Sequence, residues 1–247
     1  MGLCKVAVVG LGGMGRRHLQ AAQLAGMDVV AICDLNEAAA SVAKEMGRPV
    51  PQVYTDWQQL LEAECAGIDV LVVATNGPSH AEVTIAAAKS GIPYILCEKP
   101  MATNLKDADR MLEAVEQNNV ILTIDHTRRW QPLWRHIKEE IVGKGEIGPV
   151  QNIVARLGGP RAMLFRNGTH LIDTVCYFAD SDPEWVFAEL EPGYEGYTEY
   201  QGTGRDPETE PAASGYIHFA NGIHAFYVGG SKTTPGAFTL EIIGADG

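Results

Sequence analysis

Two rhythms of apolar and polar positions divide this chain. In its first half, short apolar runs at 5–10 (KVAVVG), 28–34 (DVVAICD), 68–75 (IDVLVVAT), 93–97 (PYILC) and 120–125 (VILTID), with a weaker one near Val53, predict strands. Between them, helical patterns fall at 14–25, 36–47, 57–63, 80–90 and from Thr103 or Asn104 to about 118. Gly47 and Gly91 stand where glycine commonly follows a helix. In the last helix, Leu105, Ala108, Leu112 and Val115 form the expected apolar face, at spacings of three and four. Strands apolar on both faces, alternating with helices, belong in a parallel sheet covered on both sides.

After Asp125 the rhythm changes. Trp130, Trp134, Ile137 and Ile141 predict one amphipathic helix. A strand at 149–157 and a helix at 169–179 follow, then strands near 184–190, 213–220, 223–229 and 238–243. Strands in succession without intervening helices predict a largely antiparallel sheet. The expected architecture is therefore an α/β doubly wound Rossmann domain over 1–123, followed by an α+β domain over 124–247 with a largely antiparallel open sheet. Apolar residues on both phases of the later strands predict that the sheet's second face is covered by another subunit, making a homo-oligomer. Residues 191–212, rich in Gly, Pro and Glu, read as a long solvated loop, and Tyr194, Tyr197 and Tyr200 as its surface residues.

Composition narrows the function. The chain of 247 residues is 46% apolar and 20% charged, an ordinary globular profile. With 19 Lys+Arg against 31 Asp+Glu, its net charge of -12 repels a nucleic-acid backbone. No run approaches the roughly 18 apolar residues of a membrane span. The opening MGLCKVAVVG enters a strand without the basic lead and apolar core of a signal peptide. Five cysteines occur without a C-x-x-C pair, so no metal site is expected, and Cys33 and Cys97 read as buried thiols of a reducing cytoplasm.

Gly10-Leu11-Gly12-Gly13-Met14-Gly15 is a G-x-G-x-x-G between the first strand and first helix, the context in which that motif binds a dinucleotide. Gly10 permits the turn, Gly12 admits a pyrophosphate to the backbone, and Gly15 lets helix and strand approach. Asp34, at the end of the second strand, suits the adenosine ribose hydroxyls and repels a 2′-phosphate, which favours NAD over NADP. Arg16 and Arg17 keep NADP open as the minority reading. The strand 93–97 runs into Glu98-Lys99-Pro100, where Lys99 stands at a strand's carboxyl end, either as a substrate-binding lysine or as a surface lysine before a turn. Pro100 admits a cis bond there. His170 and Asp173, three apart on a helix, share a face, and His170 reads either as a proton acceptor or as a helix-start cap.

The segments VAVVGLGGMGRRH, AICD, VYTDWQQLL, DVLVVATNGPSHAE and GIPYILCEKPMATN resemble the glucose–fructose oxidoreductase / inositol dehydrogenase (Gfo/Idh/MocA) family. So do RRWQPLWRHIKEEIVGKGEIGPV, GTHLIDTVCYF, HFANGIHAFY and LEIIGADG in the second half. The resemblance implies an NAD(P)-dependent oxidoreductase acting on sugars, polyols and related alcohols. It places Gly10, Gly12, Gly13, Met14 and Gly15 on the phosphate loop and Asp34 on the ribose. Thr75, Asn76 and His80 fall beside the cofactor's ribose and pyrophosphate, with His80 also a candidate helix cap. Glu98 and Lys99 fall on the nicotinamide side, Lys99 being the catalytic lysine. Arg129 matches a family arginine, and His170 and Asp173 fall on the G-x-H-x-x-D segment of the substrate pocket. Lys99 would polarise the alcohol and His170 take its proton. His18, His126, His136, His218 and His224 lack comparable context.

Three departures are visible, one of them a connection from Gly158 to Asn167 that is short for the family. Arg166 stands where inositol-dehydrogenase-like members carry an acid, and the chain ends earlier than typical members, as a short or truncated one would. Arg156, Arg161 and Arg166 lead towards His170 and predict a carboxylate-bearing substrate. Alternatively they are exposed ion pairs of an acidic surface. A non-catalytic dinucleotide-binding regulator and an NAD-dependent glycosidase of the same fold are the rival functions.

Overall fold

The computed structural model describes residues 2–35, 38–45, 51–202, 206–230, 233 and 235–247, the side chains of Ala38, Ala39, Ala40, Lys44 and Arg161 excepted. The expected helix stop at Gly47 lies outside the described residues. The chain divides into two compact units, Met1–Asp125 and His126–Gly247.

In the first unit, β1 (Lys5–Val9), β2 (Asp28–Cys33), β3 (Gln52–Tyr54), β4 (Val70–Val73), β5 (Tyr94–Cys97) and β6 (Ile121–Ile124) form one parallel sheet in the order β3-β2-β1-β4-β5-β6. Helices α1 (Gly13–Leu24), α2 (Ala38–Glu45), α3 (Trp57–Glu64), α4 (Gly77–Lys89) and α5 (Leu105–Gln117) join the strands. The apolar strands serve two cores. Val6, Val8, Val29 and Ile32 pack on one face with Leu19 and Ala22 of α1. Ala7, Val9, Leu71, Val73 and Ile95 pack on the other with Leu60 of α3, Val83 of α4 and Met111 of α5. The strand order reverses between β1 and β4, which opens a crevice at the sheet's carboxyl edge.

The expected stripe on α5 is corrected. Leu105 is 83% exposed and Leu112 53%, while Met111, Ala114 and Val115 are buried. Two neighbouring stripes satisfy the helical period, and docking against α4 and the sheet selects between them. Helix α4 also starts earlier than expected, with Pro78 in its first turn, where its missing N–H breaks no helical bond.

In the second unit, β7 (Val150–Gly158), β8 (Pro183–Leu190), β9 (Ala213–Phe219), β10 (His224–Gly229) and β11 (Ala237–Gly244) form a sheet in the order β11-β7-β10-β9-β8. Three pairings are antiparallel and β7–β10 is parallel. The parallel pair arises because the chain leaves β7 through a helix, α7 (Thr169–Ala179), before returning as strands. Ile153, Ala155, Leu157, Ala225 and Phe219 pack on Leu171, Val175 and Phe178 of this helix. Trp130 does not belong to the helix expected for it. It ends a short 3₁₀ turn, Gln131 is extended before Pro132, and α6 (Pro132–His136) begins only there, running on as a π-helical stretch at Ile137–Val142.

The segment 191–212 also differs from the solvated loop expected. Tyr200 and Glu210 are buried. The Glu210 carboxylate accepts the N–H groups of Phe165 and Arg166, and the Phe165 ring stacks on Tyr200 at 5.3 Å. An acidic, Gly-rich composition conceals these few anchors. Among the described residues, no helix is long and apolar enough to cross a membrane.

Candidate functional site

The first unit holds a cleft of about 490 Å³ at the β1–β4 reversal. Its floor is the turn from β1 into α1, shaped by glycine. Gly10 has φ +94°, and a Cβ on it would stand 2.5 Å from the Ala74 carbonyl. A Cβ on Gly15 would stand 1.8 Å from the Gly10 oxygen. Gly12 and Gly13 instead face open space, and among the described residues no side chain caps α1, leaving its first N–H groups available to an anion.

The expected cofactor residues separate into two groups. Gly10, Gly12, Gly13, Met14, Asp34, Thr75, Asn76, Glu98 and Lys99 line the cleft, together with Trp57, to which the family resemblance gave no role. Asp34 Oδ2 accepts the Leu11 N–H at 2.7 Å, so part of this carboxylate holds the glycine loop itself. Gly15 and His80 lie outside the lining. His80 is fully buried, its Nδ1 2.8 Å from the Pro100 carbonyl oxygen and its Nε2 3.1 Å from that of Thr75. It ties the end of β4 to the Glu98-Lys99-Pro100 turn, whose Lys99–Pro100 bond is cis. Burial, with a smaller push from the Lys99 charge, outweighs these carbonyls and holds His80 below the usual histidine range.

Glu98 brings with it two residues absent from the sequence-based site. His18 Nε2 lies 2.9 Å from Glu98 Oε1 and 3.7 Å from Asp125 Oδ2. Burial pushes the Glu98 carboxyl up, but His18 and Lys99 more than offset this and hold it low. Burial, reinforced by the Glu98 charge, raises Asp125. Cys33, on the cleft wall, and Cys97 are free thiols pushed up to about 12 by burial, unsuited to nucleophilic work.

In the second unit, His170 stands in the first turn of α7. Asp173 does share its helix face, but its carboxylate is gripped by Arg129, with Nε 2.9 and 3.0 Å from the two oxygens and a terminal nitrogen 2.9 Å from Oδ1. His126, which lacked a local context, lies edge-on to His170 with ring centroids 5.9 Å apart. Its Nε2 is 3.0 Å from Thr169 Oγ1, and its Nδ1 is 3.5 Å from Asp173. No short-range spacing reports these contacts.

Of the three arginines, two have described side chains, Arg156 and Arg166. Arg156 is exposed beside Val228 and Thr239, on the face opposite the Ile153–Ala155–Leu157 side that α7 covers. Strand alternation thus separates it from His170. The Arg161 side chain lies outside the described residues. Arg166 remains in the turn before α7, its N–H held by Glu210.

The family model described as "Oxidoreductase family, NAD-binding Rossmann fold" matches residues 4–126, and "GFO/IDH/MocA C-terminal domain" matches residues 134–247. An inositol 2-dehydrogenase of Salmonella typhimurium is 31% identical over 147 residues, 58% of this chain and 43% of that protein. A myo-inositol 2-dehydrogenase of Thermotoga maritima is 31% identical over 198 residues, 75% of this chain and 58% of that protein. This chain thus spans about half the length of these curated relatives. A solved scyllo-inositol dehydrogenase from Lactobacillus casei, with bound NAD(H) and scyllo-inositol, has a TM-score of 0.80 over 100% of this chain and 75% of that one. At 19% identity that is a likeness of fold. Glycine loop, strand order and open second sheet meet in one chain, matched by the two models in tandem, and the chain belongs to the Gfo/Idh/MocA oxidoreductase family.

Proposed function

We propose that the chain is an NAD-dependent oxidoreductase acting on the CH–OH group of a sugar, polyol or sugar acid. The observation carrying this reading is that the glycine loop, Asp34 and Lys99 line one cleft at the reversal of strand order. The residues fit a dinucleotide: open space over Gly12 and Gly13 suits a pyrophosphate at the start of α1. When bound, the nicotinamide supplies the hydride acceptor. Lys99 orients and polarises the substrate oxygen, and His170 takes the hydroxyl proton, work suited to an imidazole near neutral pH. Asp173, engaged by Arg129, fixes the helix that carries His170.

A spectrophotometric screen of inositols, aldoses and sugar acids with NAD and NADP tests the proposal, and NADH formation with one class is expected. Loss of a sugar substituent without net NADH would indicate the glycosidase instead. Dinucleotide binding without turnover of any class would indicate the regulator. NAD should bind more tightly than NADP, because the Asp34 carboxylate repels a 2′-phosphate. Arg16, paired with Glu45 at 3.4 Å, and Arg17 do not line the cleft. Asp34→Ser should narrow the gap and, by releasing the Leu11 N–H, weaken NAD as well. Tighter NADP binding by the wild type would refute this preference. A preference for sugar acids would rest on Arg166, and comparing kcat/KM for acid and neutral sugar in wild type and Arg166→Ala decides it.

The reading includes self-association. On the sheet face opposite α7, Trp185 is 52% exposed, Phe187 67% and Phe226 41%, an apolar area that a monomer rarely leaves in water. Light scattering at micromolar concentration should give a dimer or larger assembly, and Phe187→Glu should reduce it to monomer. A monomeric wild type would count against the interface. The five free thiols fit a reducing, cytoplasmic compartment.

A further inference from the structure

Three ionisable side chains converge at the carboxyl edge of the first unit's sheet. His18 comes from the second turn of α1, Glu98 from the exit of β5, and Asp125 from the exit of the neighbouring β6. One nitrogen or oxygen from each lies within 4.8 Å of the others. The side chains are only 12%, 7% and 10% exposed. Two carboxylates this close and this poorly solvated resist carrying charge together, and the imidazole is the neighbour able to supply a compensating proton. The cluster reaches the cleft through one member: Glu98 lines it, and its Oε2 accepts the Lys99 N–H at 3.3 Å.

We propose that His18, Glu98 and Asp125 form a proton-sharing cluster whose charge sets how strongly the cleft prefers the oxidised over the reduced dinucleotide. This rests on the dinucleotide reading above. The two forms carry the same phosphates and riboses and differ by one positive charge, on the nicotinamide. The ratio of their affinities therefore isolates what the charge of the site does to that ring. Among the described residues, the charged or titratable neighbours of the cluster include Lys99, beside Glu98, and His80 of α4, whose ring faces the carbonyls of Pro100 and Thr75. Lys99 places a positive charge beside Glu98, and burial makes His80 resist gaining one. Within the cluster, His18 and Lys99 outweigh burial and hold the Glu98 carboxyl low, while burial and the Glu98 charge push Asp125 up. Loss of a proton on raising the pH makes the cluster more negative, and a more negative wall favours the cationic ring.

Calorimetric titration of the cofactor-free protein with NAD and with NADH, at about pH 6 and about pH 8.5, spans the range in which histidine ordinarily changes charge. The ratio of the NAD Kd to the NADH Kd should fall about three- to tenfold as the pH rises. His18→Gln and Asp125→Asn keep a polar, hydrogen-bonding side chain but remove the imidazole and the carboxyl from the cluster, and in both the change should shrink below about twofold. If neither form binds, the dinucleotide reading and this inference fall together. If both bind with a ratio that does not move in the wild type, or the variants keep the full change, this inference alone falls. A divalent ion retained stoichiometrically by the wild type and lost in His18→Gln would also overturn it, by making the three groups metal ligands.

Discussion

Gly15→Ala is expected to abolish measurable dinucleotide binding and to lower the melting temperature of the first unit. The new Cβ would stand 1.8 Å from the carbonyl oxygen of Gly10 and 2.8 Å from its carbonyl carbon, both backbone atoms that no rotamer change can move. Gly10 has no room to retreat: its own Cβ position is 2.5 Å from the Ala74 carbonyl, and its N–H is bonded to the Cys33 oxygen at 2.8 Å. The clash must therefore push α1 away from β1, at a cost of about 1–3 kcal/mol or more, and open the loop that would face the pyrophosphate. Gly12→Ala separates the two effects. Its Cβ meets nothing within 4 Å, and its φ of -64° suits alanine. Stability should then stay within about 0.5 kcal/mol of wild type, while NAD affinity falls because the methyl occupies the cleft. Thermal melts with and without NAD, with calorimetry, read both. Wild-type binding by Gly15→Ala would remove the loop from the cofactor site.

Lys99→Met should lower kcat by about 10²–10⁴-fold, the range that a positioned acid–base group contributes. The thioether keeps the length of the stem and removes only the charge and donors. NAD affinity should stay within about tenfold of wild type, because the glycine loop and Asp34 remain. His170→Asn should show a comparable loss of kcat with a different signature. A base works only when neutral, so the wild-type rate should climb with pH through the titration of that base. In His170→Asn this climb should disappear. Stopped-flow single turnovers across pH, with the substrate that the screen identifies, measure both. A Lys99→Met enzyme within about threefold of wild-type kcat would refute the assigned role.

Much of this fold was legible because its signals are local. A parallel strand buried on both faces must be apolar throughout, as Val6 to Val9 and Val70 to Val73 are, and that run is visible without knowing what covers it. The glycine loop was legible for a similar reason. Close backbone approach excludes a Cβ at Gly10 and Gly15, and the exclusion is written at a fixed spacing. Asp34 and Lys99 stand at strand ends, so finding the strands found them.

What stayed hidden depended on packing. On α5, two overlapping stripes obeyed the same period, and only docking buried Met111 while leaving Leu105 in water. Strand succession could not reveal the parallel β7–β10 pair, since α7 turns the chain between them. Arg156 carried the right chemistry on the wrong face, because alternation along β7 points it away from α7.

The sequence by itself determined the two-unit plan, the parallel sheet and the glycine loop, since each follows from the spacing of residues within about one supersecondary unit. Tertiary structure alone decided which side chains meet around the candidate chemistry. His18 reaches Glu98 across 80 positions, Arg129 takes Asp173 across 44, and Glu210 holds the Phe165 N–H across 45. A side-chain contact at such separations depends on the whole path of the intervening chain, and no local period encodes that path.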